Sequence, residues 1–394
     1  MNRRPVTLML ICGEPSGDRL GAELMAGLNA LAGDAVRIVG VGGPAMAGQG
    51  LQSLFPLDDT AVMGLREVVP RIPAILRRVR EASGYATREN PDAVVCIDSP
   101  DFTHRIAQRL KRIAPQIRTV NYAAPQVWAS RSYRARKMGR YFDLVLALLP
   151  FEAPFFEAHG LRAVFVGNPV IERAAEIKGG DGLRARLGLA PDAVVVVVLP
   201  GSRMNEVRLL LPAFREAVSR IGREVPGLVC LLPTVQHVAH YVHEHTRDWP
   251  APLHIFESDT DKYAAFDAAR AAIAASGTVT TELALAGTPM VVAYRLGALT
   301  YALVRPFVRV SYITLANILL NRRAIPELIQ WKCTGDALAQ AALPLLLDEA
   351  ARTRQQHDLA EAMARMGLGG EPPSLRAARA LLEFVHETKA SRSA

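Results

Sequence analysis

The chain has 394 residues, of which 50% are hydrophobic and 21% charged. At about 150 residues per domain that is enough apolar material for two packed domains or three, and it excludes disorder over most of the length. Lys and Arg outnumber Asp and Glu by 46 to 38, a net charge of +8, which points to an anionic partner: nucleic acid, an acidic membrane surface or a phosphorylated substrate.

Short apolar runs alternate with amphipathic stretches, the pattern of βα units around a parallel sheet. In the first half, strands are predicted at Val6–Cys12, Arg37–Val41, Ala93–Ile97, Thr119–Tyr122, Leu144–Leu148 and Ala163–Val166, with helices at Asp18–Leu31 and His104–Ile113 among those between them. The stretch Glu172–Pro191 then turns polar and Gly-rich (EIKGGDG) and reads as a linker or a domain edge. A second series follows: strand Val194–Leu199, helix Met204–Ile221, strands Leu228–Leu232, His254–Phe256 and Ala271–Ala275, helix Thr278–Ala286 and strand Pro289–Tyr294. The expected fold is α/β, with two Rossmann-like domains facing across a cleft and a helical C-terminal tail. The expected divisions are 1–172, a linker at 173–192, 193–333, and helices over 334–394.

The Arg pair and apolar run at the start imitate a signal peptide, but the run is short and ends in a Gly-rich turn, so a core strand is the better reading. No stretch approaches the roughly 18 apolar residues of a spanning helix. Cys12, Cys96, Cys230 and Cys333 lie far apart without a CxxC pair, which argues against a zinc site or disulfide framework and for a reducing, cytosolic compartment.

Three turns have the composition of anion sites at strand ends: Gly13–Asp18, Pro200-Gly201-Ser202-Arg203 and Ser276-Gly277-Thr278. Each precedes a helix whose first N–H groups lack partners. Neither GxGxxG nor GxxxxGK[ST] is present at them, so NAD(P) binding and P-loop hydrolysis lose support; helix capping by small residues explains any one turn equally well. Arg203 beside a helix start makes an anion clamp, and Glu282, one turn into its helix, suits a hydroxylated group such as ribose.

Taken together, GEPSGD (13–18), VGVGGPAM (39–46), VMGLREV (62–68), CIDSPDF (96–102), APQVWASR (124–131), LLPFE (148–152), LPGSR with EV (199–207), ASGTVTTELALAGTPMVVAY (275–294) and TLANILL with IPELIQ (314–330) resemble the lipid-A-disaccharide synthase family. The resemblance runs in order from about residue 6 to 330 and implies a GT-B-type glycosyltransferase. Such an enzyme joins UDP-2,3-diacylglucosamine to 2,3-diacylglucosamine 1-phosphate and releases UDP, as a peripheral protein of the cytoplasmic face of the inner membrane. It implies Asp98 as catalytic base, with Glu14 and Ser16 in the first motif, Arg203 on the nucleotide side, and Glu282 and Asn317 as donor-site residues alongside Gly201, Ser202, Ser276, Gly277 and Thr278. The sequence departs from the family pattern at Ser130 (a Trp in the family), at Asn168 (a His) and in Leu315-Ala316-Asn317 (LPN).

A carboxylate at the end of Ala93–Ile97 suits a general base for a sugar hydroxyl, and Asp101 is a rival for that role. Arg203 and helix N–H groups would stabilise departing UDP without a metal or other cofactor. Asp259-Thr260-Asp261 imitates a metal-binding DxD, but the helix that follows makes capping the better reading, and His237, His240, His243 and His245 read as solvated. Ile72, Ile75, Leu76 and Val79 form an apolar stripe among Arg71, Arg77, Arg78 and Arg80, with Val62 and Met63 upstream. This surface suits acyl chains or an anionic bilayer, although core packing explains it equally from periodicity. Tyr301–Val310 is a weaker second candidate. Ten basic residues and no acidic one lie between Phe102 and Phe142, so the excess charge is local to one segment.

Nucleic acid is therefore not expected as a partner; a homodimer is admitted. The competing readings are a UDP-sugar 2-epimerase of the same fold and a non-enzymatic nucleotide-binding protein.

Overall fold

Strands made wholly of aliphatic residues need cover on both faces, which parallel sheets receive from their crossover helices. The structure, a computed structural model, describes residues 5–59, 65–130, 132–297, 301 and 311–393, with the backbone alone at 65–71, 130 and 391–393. The chain divides into two units, residues 1–169 with 369–394, and residues 170–368. Each carries a six-stranded sheet whose strand pairs are all parallel.

In the first unit the strands are β1 (Val6–Cys12), β2 (Val36–Val41), β3 (Ala93–Ile97), β4 (Arg118–Tyr122), β5 (Leu144–Ala147) and β6 (Ala163–Phe165), in the order β2-β1-β3-β4-β5-β6. In the second they are β7 (Val194–Leu199), β8 (Leu228–Pro233), β9 (Leu253–Phe256), β10 (Ala271–Ala275), β11 (Met290–Tyr294) and β12 (Glu327–Ile329), in the order β12-β11-β10-β7-β8-β9. The chain reverses its direction of travel across the sheet between β1 and β3 in one unit and between β7 and β10 in the other. Doubly wound sheets form their ligand crevices at such points, outside the carboxyl ends of the strands. Every residue of β1, β3, β7 and β10 is buried.

The polar stretch after the first sheet is folded. A 3₁₀ run, Pro169–Glu176, starts at the last residue before the second unit, and a helix, Gly180–Arg186, follows within that unit. Gly180 serves a close approach: its N–H donates to Asp267 Oδ2 at 2.8 Å, and a Cβ there would lie 2.6 Å from the Ala268 nitrogen. The C-terminal helices separate. Gly335–Leu347 and Glu349–Arg365 belong to the second unit, whereas Pro373–Ser393 packs on the first unit's helix Pro15–Ala32. All four cysteines are buried and unbridged.

Candidate active site

Glu14 precedes the helix Pro15–Ala32 at the end of β1, and Asp98 follows the end of β3, its neighbour across the reversal. Ser16 Oγ donates to Asp98 Oδ2 at 2.7 Å. Asp98 and Ser99 both have left-handed backbone conformations, φ +51° and +45°, a turn that costs on the order of 1 kcal/mol per residue for side chains other than glycine. Two contacts hold it: the Asp98 N–H donates to the Tyr122 carbonyl at 3.0 Å and Thr103 Oγ1 donates to the Asp98 carbonyl at 2.7 Å. Burial, reinforced by the nearby Asp98 and Asp101 carboxylates, pushes the Glu14 carboxyl above its ordinary value. Asp101 is exposed in the first turn of Pro100–Ile113.

Asp18, in the first motif, does something else. It is buried and accepts backbone N–H bonds from Gly43, Ala45 and Met46 at 2.7, 2.8 and 3.0 Å. GEPSGD and VGVGGPAM are thereby tied together. Glu152 ties APQVWASR to LLPFE in the same manner, accepting from Trp128 Nε1 at 3.0 Å and from the Leu148 and Leu149 N–H groups at 3.1 Å each. Burial raises its carboxyl above the ordinary range.

The second unit holds a cavity of about 360 Å³. Gly201, Ser202 and Arg203, after β7, and Ser276, Gly277, Thr278 and Glu282, at and after the end of β10, all line it. Gly201 has φ +121°, a conformation reserved for glycine, and a Cβ there would meet Glu206 at 2.7 Å. The turn delivers the start of Met204–Glu224 to the cavity, while Gly277 caps Thr278–Leu285. Two helix N-termini thus border one space, the arrangement that holds a phosphate anion. The exposed Arg203 guanidinium pairs with Glu206 at 2.9 Å.

Glu282 is buried and ringed by donors: Arg173 Nη1 at 3.2 Å and Tyr263 OH at 3.3 Å on Oε1, with Lys262 Nζ 3.4 Å from Oε2. Its carboxylate is therefore an acceptor for hydroxyl donors rather than a phosphate ligand. Lys262, Arg173 and Tyr263 carried no signal in the sequence, because the partner they share, Glu282, lies on another segment; Glu206 stands in the LPGSR and EV motif, three residues from Arg203.

Asn317 stands apart from this cavity. It is fully buried, donating to the Ile325 carbonyl at 2.9 Å and Glu327 Oε1 at 2.8 Å and accepting from the Ile325 N–H at 2.8 Å. Glu327 in turn accepts from the Ile313 and Thr314 N–H groups, so Asn317 and Glu327 lock the two halves of the last motif. Asp259 and Asp261 fall in the first turn of a helix, Asp259–Ala268, capped by Ser258. Asp261 pairs with Arg186, and Asp259 with Lys262 at 2.9 Å. Among the described residues no cluster of His, Cys, Asp and Glu suits a metal ion, and the four histidines of Gln236–His245 are exposed.

The apolar stripe of helix Leu65–Glu89 divides. Val79 is in the core and Ile75 packs against it, but Ile72 and Leu76 are 43% and 37% exposed. Val62, Met63, Arg131 and residues 302–310 lie outside the described residues. The basic segment divides likewise. Lys111 and Arg118 pair with Asp143 at 2.8 and 3.1 Å. Burial works against the Asp143 charge, but Lys111, the Thr119 N–H and Arg118 outweigh it and hold the carboxyl below its ordinary value. Arg105, Arg112, Arg134, Arg136, Lys137 and Arg140 remain exposed. Among the described residues no helix is long and apolar enough to cross a membrane.

A family model described as lipid-A-disaccharide synthetase matches residues 8–370. A lipid-A-disaccharide synthase of Rhodospirillum centenum is 48% identical over 97% of this chain and 95% of its own length. Among solved structures, the UDP-GlcNAc 2-epimerase of Neisseria meningitidis bound to UDP-GlcNAc aligns with a TM-score of 0.62 at 10% identity, covering 97% of this chain and 99% of that one. MurG of Acinetobacter baumannii aligns at 0.57 and 15% identity, covering 97% and 100%. These structural likenesses, at such low identity, show the fold alone, which is of the GT-B type. The match of family model and sequence over nearly the whole length decides between the members of that fold: this chain belongs to the lipid-A-disaccharide synthase family of glycosyltransferases.

Proposed function

We propose that the protein condenses UDP-2,3-diacylglucosamine with 2,3-diacylglucosamine 1-phosphate to give the lipid A disaccharide 1-phosphate and UDP. Asp98 accepts the proton of the acceptor's 6-hydroxyl as that oxygen bonds to the donor's anomeric carbon. The bond from that carbon to the UDP oxygen breaks, and UDP leaves with the electron pair. One displacement inverts the anomeric centre. Ser16, donating to Asp98, orients the carboxylate for this role.

The observation that carries the reading is the cavity bordered by two helix N-termini with Arg203 at its side and Glu282 in its wall. The N–H groups and the guanidinium stabilise the diphosphate as charge develops on it, without reorganisation, and Glu282 takes the ribose hydroxyls. Incubating the purified protein with both acylated sugars and separating the products tests the reaction. Disaccharide and UDP in equal amounts are expected; no disaccharide from that pair would overturn the assignment.

For the lipid substrates, the exposed Ile72 and Leu76 together with the exposed arginines support docking at the cytoplasmic face of an anionic membrane. Flotation with vesicles containing anionic lipid should fall in an Ile72→Ser/Leu76→Ser variant; equal flotation would remove those two residues from the contact.

A further inference from the structure

The cavity that takes a nucleotide diphosphate on this reading is lined by more carboxylates than cations. Glu206, Glu257, Asp259 and Glu282 face two cationic side chains, Arg203 and Lys262. A dianion enters such a space only if the carboxylates are compensated and fixed. Glu206 is paired by Arg203. Glu257 lies 3.7 Å from His243 Nε2, and the pairings of the remaining two meet at one atom: Lys262 Nζ lies 2.9 Å from Asp259 Oδ1 and 3.4 Å from Glu282 Oε2.

Lys262 is well placed to hold this position. Its side chain is only about one-fifth exposed, and the ammonium lies 4.4 Å from the centroid of the Tyr263 ring, whose hydroxyl reaches the other Glu282 oxygen. Burial alone would weaken its charge, but Glu282 and Asp259 more than offset this and hold the ammonium above its ordinary pKa. With Arg173 and Tyr263 on Oε1 and Lys262 on Oε2, the Glu282 carboxylate is gripped at both oxygens.

We propose that Lys262 is a positioning residue of the donor site. Its ammonium, shared between Asp259 and Glu282, fixes the Glu282 carboxylate where it accepts from the ribose hydroxyls. It thereby sets the preference for a ribonucleotide over its 2′-deoxy analogue. Lys262 touches neither reacting atom; it acts through Glu282. The proposal rests on the reading of the cavity as the nucleotide site.

The test is calorimetric binding of UDP and 2′-deoxy-UDP to the full-length wild type and to Lys262→Met, Lys262→Gln and Lys262→Arg. Wild type should prefer UDP by about tenfold, the scale of a hydroxyl hydrogen bond to a charged acceptor. Lys262→Met should lose UDP affinity by about that factor and bind the deoxy analogue almost as before, so that the ratio collapses towards one. Lys262→Gln keeps a polar chain without the charge and gives the same reading if the methionine variant does not fold. Lys262→Arg should restore most of the preference. In turnover, the neutral variants should raise donor KM by about tenfold and lower kcat by less than about threefold. An unchanged ratio, or equal loss of both nucleotides, would overturn the role; the second result would put Lys262 on the diphosphate. A wild-type protein that binds no UDP would overturn the nucleotide-site reading as well, which separates the two failures.

Discussion

The turn after β1 and the turn after β7 start from the same architecture and end with opposite chemistry. Each follows the first strand of a six-stranded parallel sheet and opens a long helix beside the point where the strand order reverses. In the first unit the turn gathers carboxylates, Glu14 beside Asp98 with Asp101 close enough to act on it, and its buried Asp18 is spent on backbone N–H groups. In the second, Gly201 takes a conformation that only glycine holds cheaply, Arg203 stands exposed, and the helix start borders an open cavity. One turn suits taking up a proton and the other suits holding an anion. The difference lies in side chains at equivalent strand ends rather than in the strands, which are buried alike.

Substitutions on the two sides should therefore fail differently. The largest effect expected is from Asp98→Asn: turnover falls by about a thousandfold, the scale of a lost general base, while UDP binding stays at the wild-type level. Loss of UDP binding in that variant would dissolve the division of labour. Next is Asp18→Ala, which strands three backbone N–H donors in a buried place and should cost about 3 kcal/mol in urea unfolding without acting on UDP affinity in a protein kept folded. Arg203→Ala should weaken UDP binding by about tenfold and leave the melting temperature nearly unchanged, since its pair with Glu206 is exposed. Unaltered UDP affinity would take Arg203 out of the anion site.

The smallest effect concerns Glu14. Its carboxyl is raised in the folded protein by burial and by Asp98, so the fold binds a proton more tightly there than the unfolded chain does. Stability from this group is present below its ordinary value of 4.5 and is lost as pH rises through the raised folded value. Glu14→Gln should then melt higher than wild type at neutral pH, with the gap closing at acid pH. A constant gap across pH would show that the carboxyl charge is not its source.

Much of this protein is legible in one dimension. Val194–Leu199, Ala93–Ile97, Val6–Cys12 and Ala271–Ala275 are read with their observed bounds because a strand buried on both faces is a nearly continuous apolar run, broken here only by Thr7. The three-residue β12 gives no such signal: Glu327–Ile329 is too short for a periodic pattern and pairs only at its one neighbour, β11. The glycines of 179–182 look like a linker on composition, and only the packing of Gly180 on Ala268 shows why a side chain is absent there.

The same boundary runs through the site. The two βα series, the small-residue turns at the strand ends and the carboxylate after β3 can be read from the chain alone, because they depend on residues adjacent in it. Tertiary structure decided which turns share a space. It joined the turn after β7 to the turn after β10, set Arg173 against Glu282 across 109 positions, and turned Asn317 inward to a backbone it holds in place. Ion pairs and buried hydrogen bonds leave no periodicity in sequence, since a polar side chain's role is set by whichever distant segment the sheet order brings beside it.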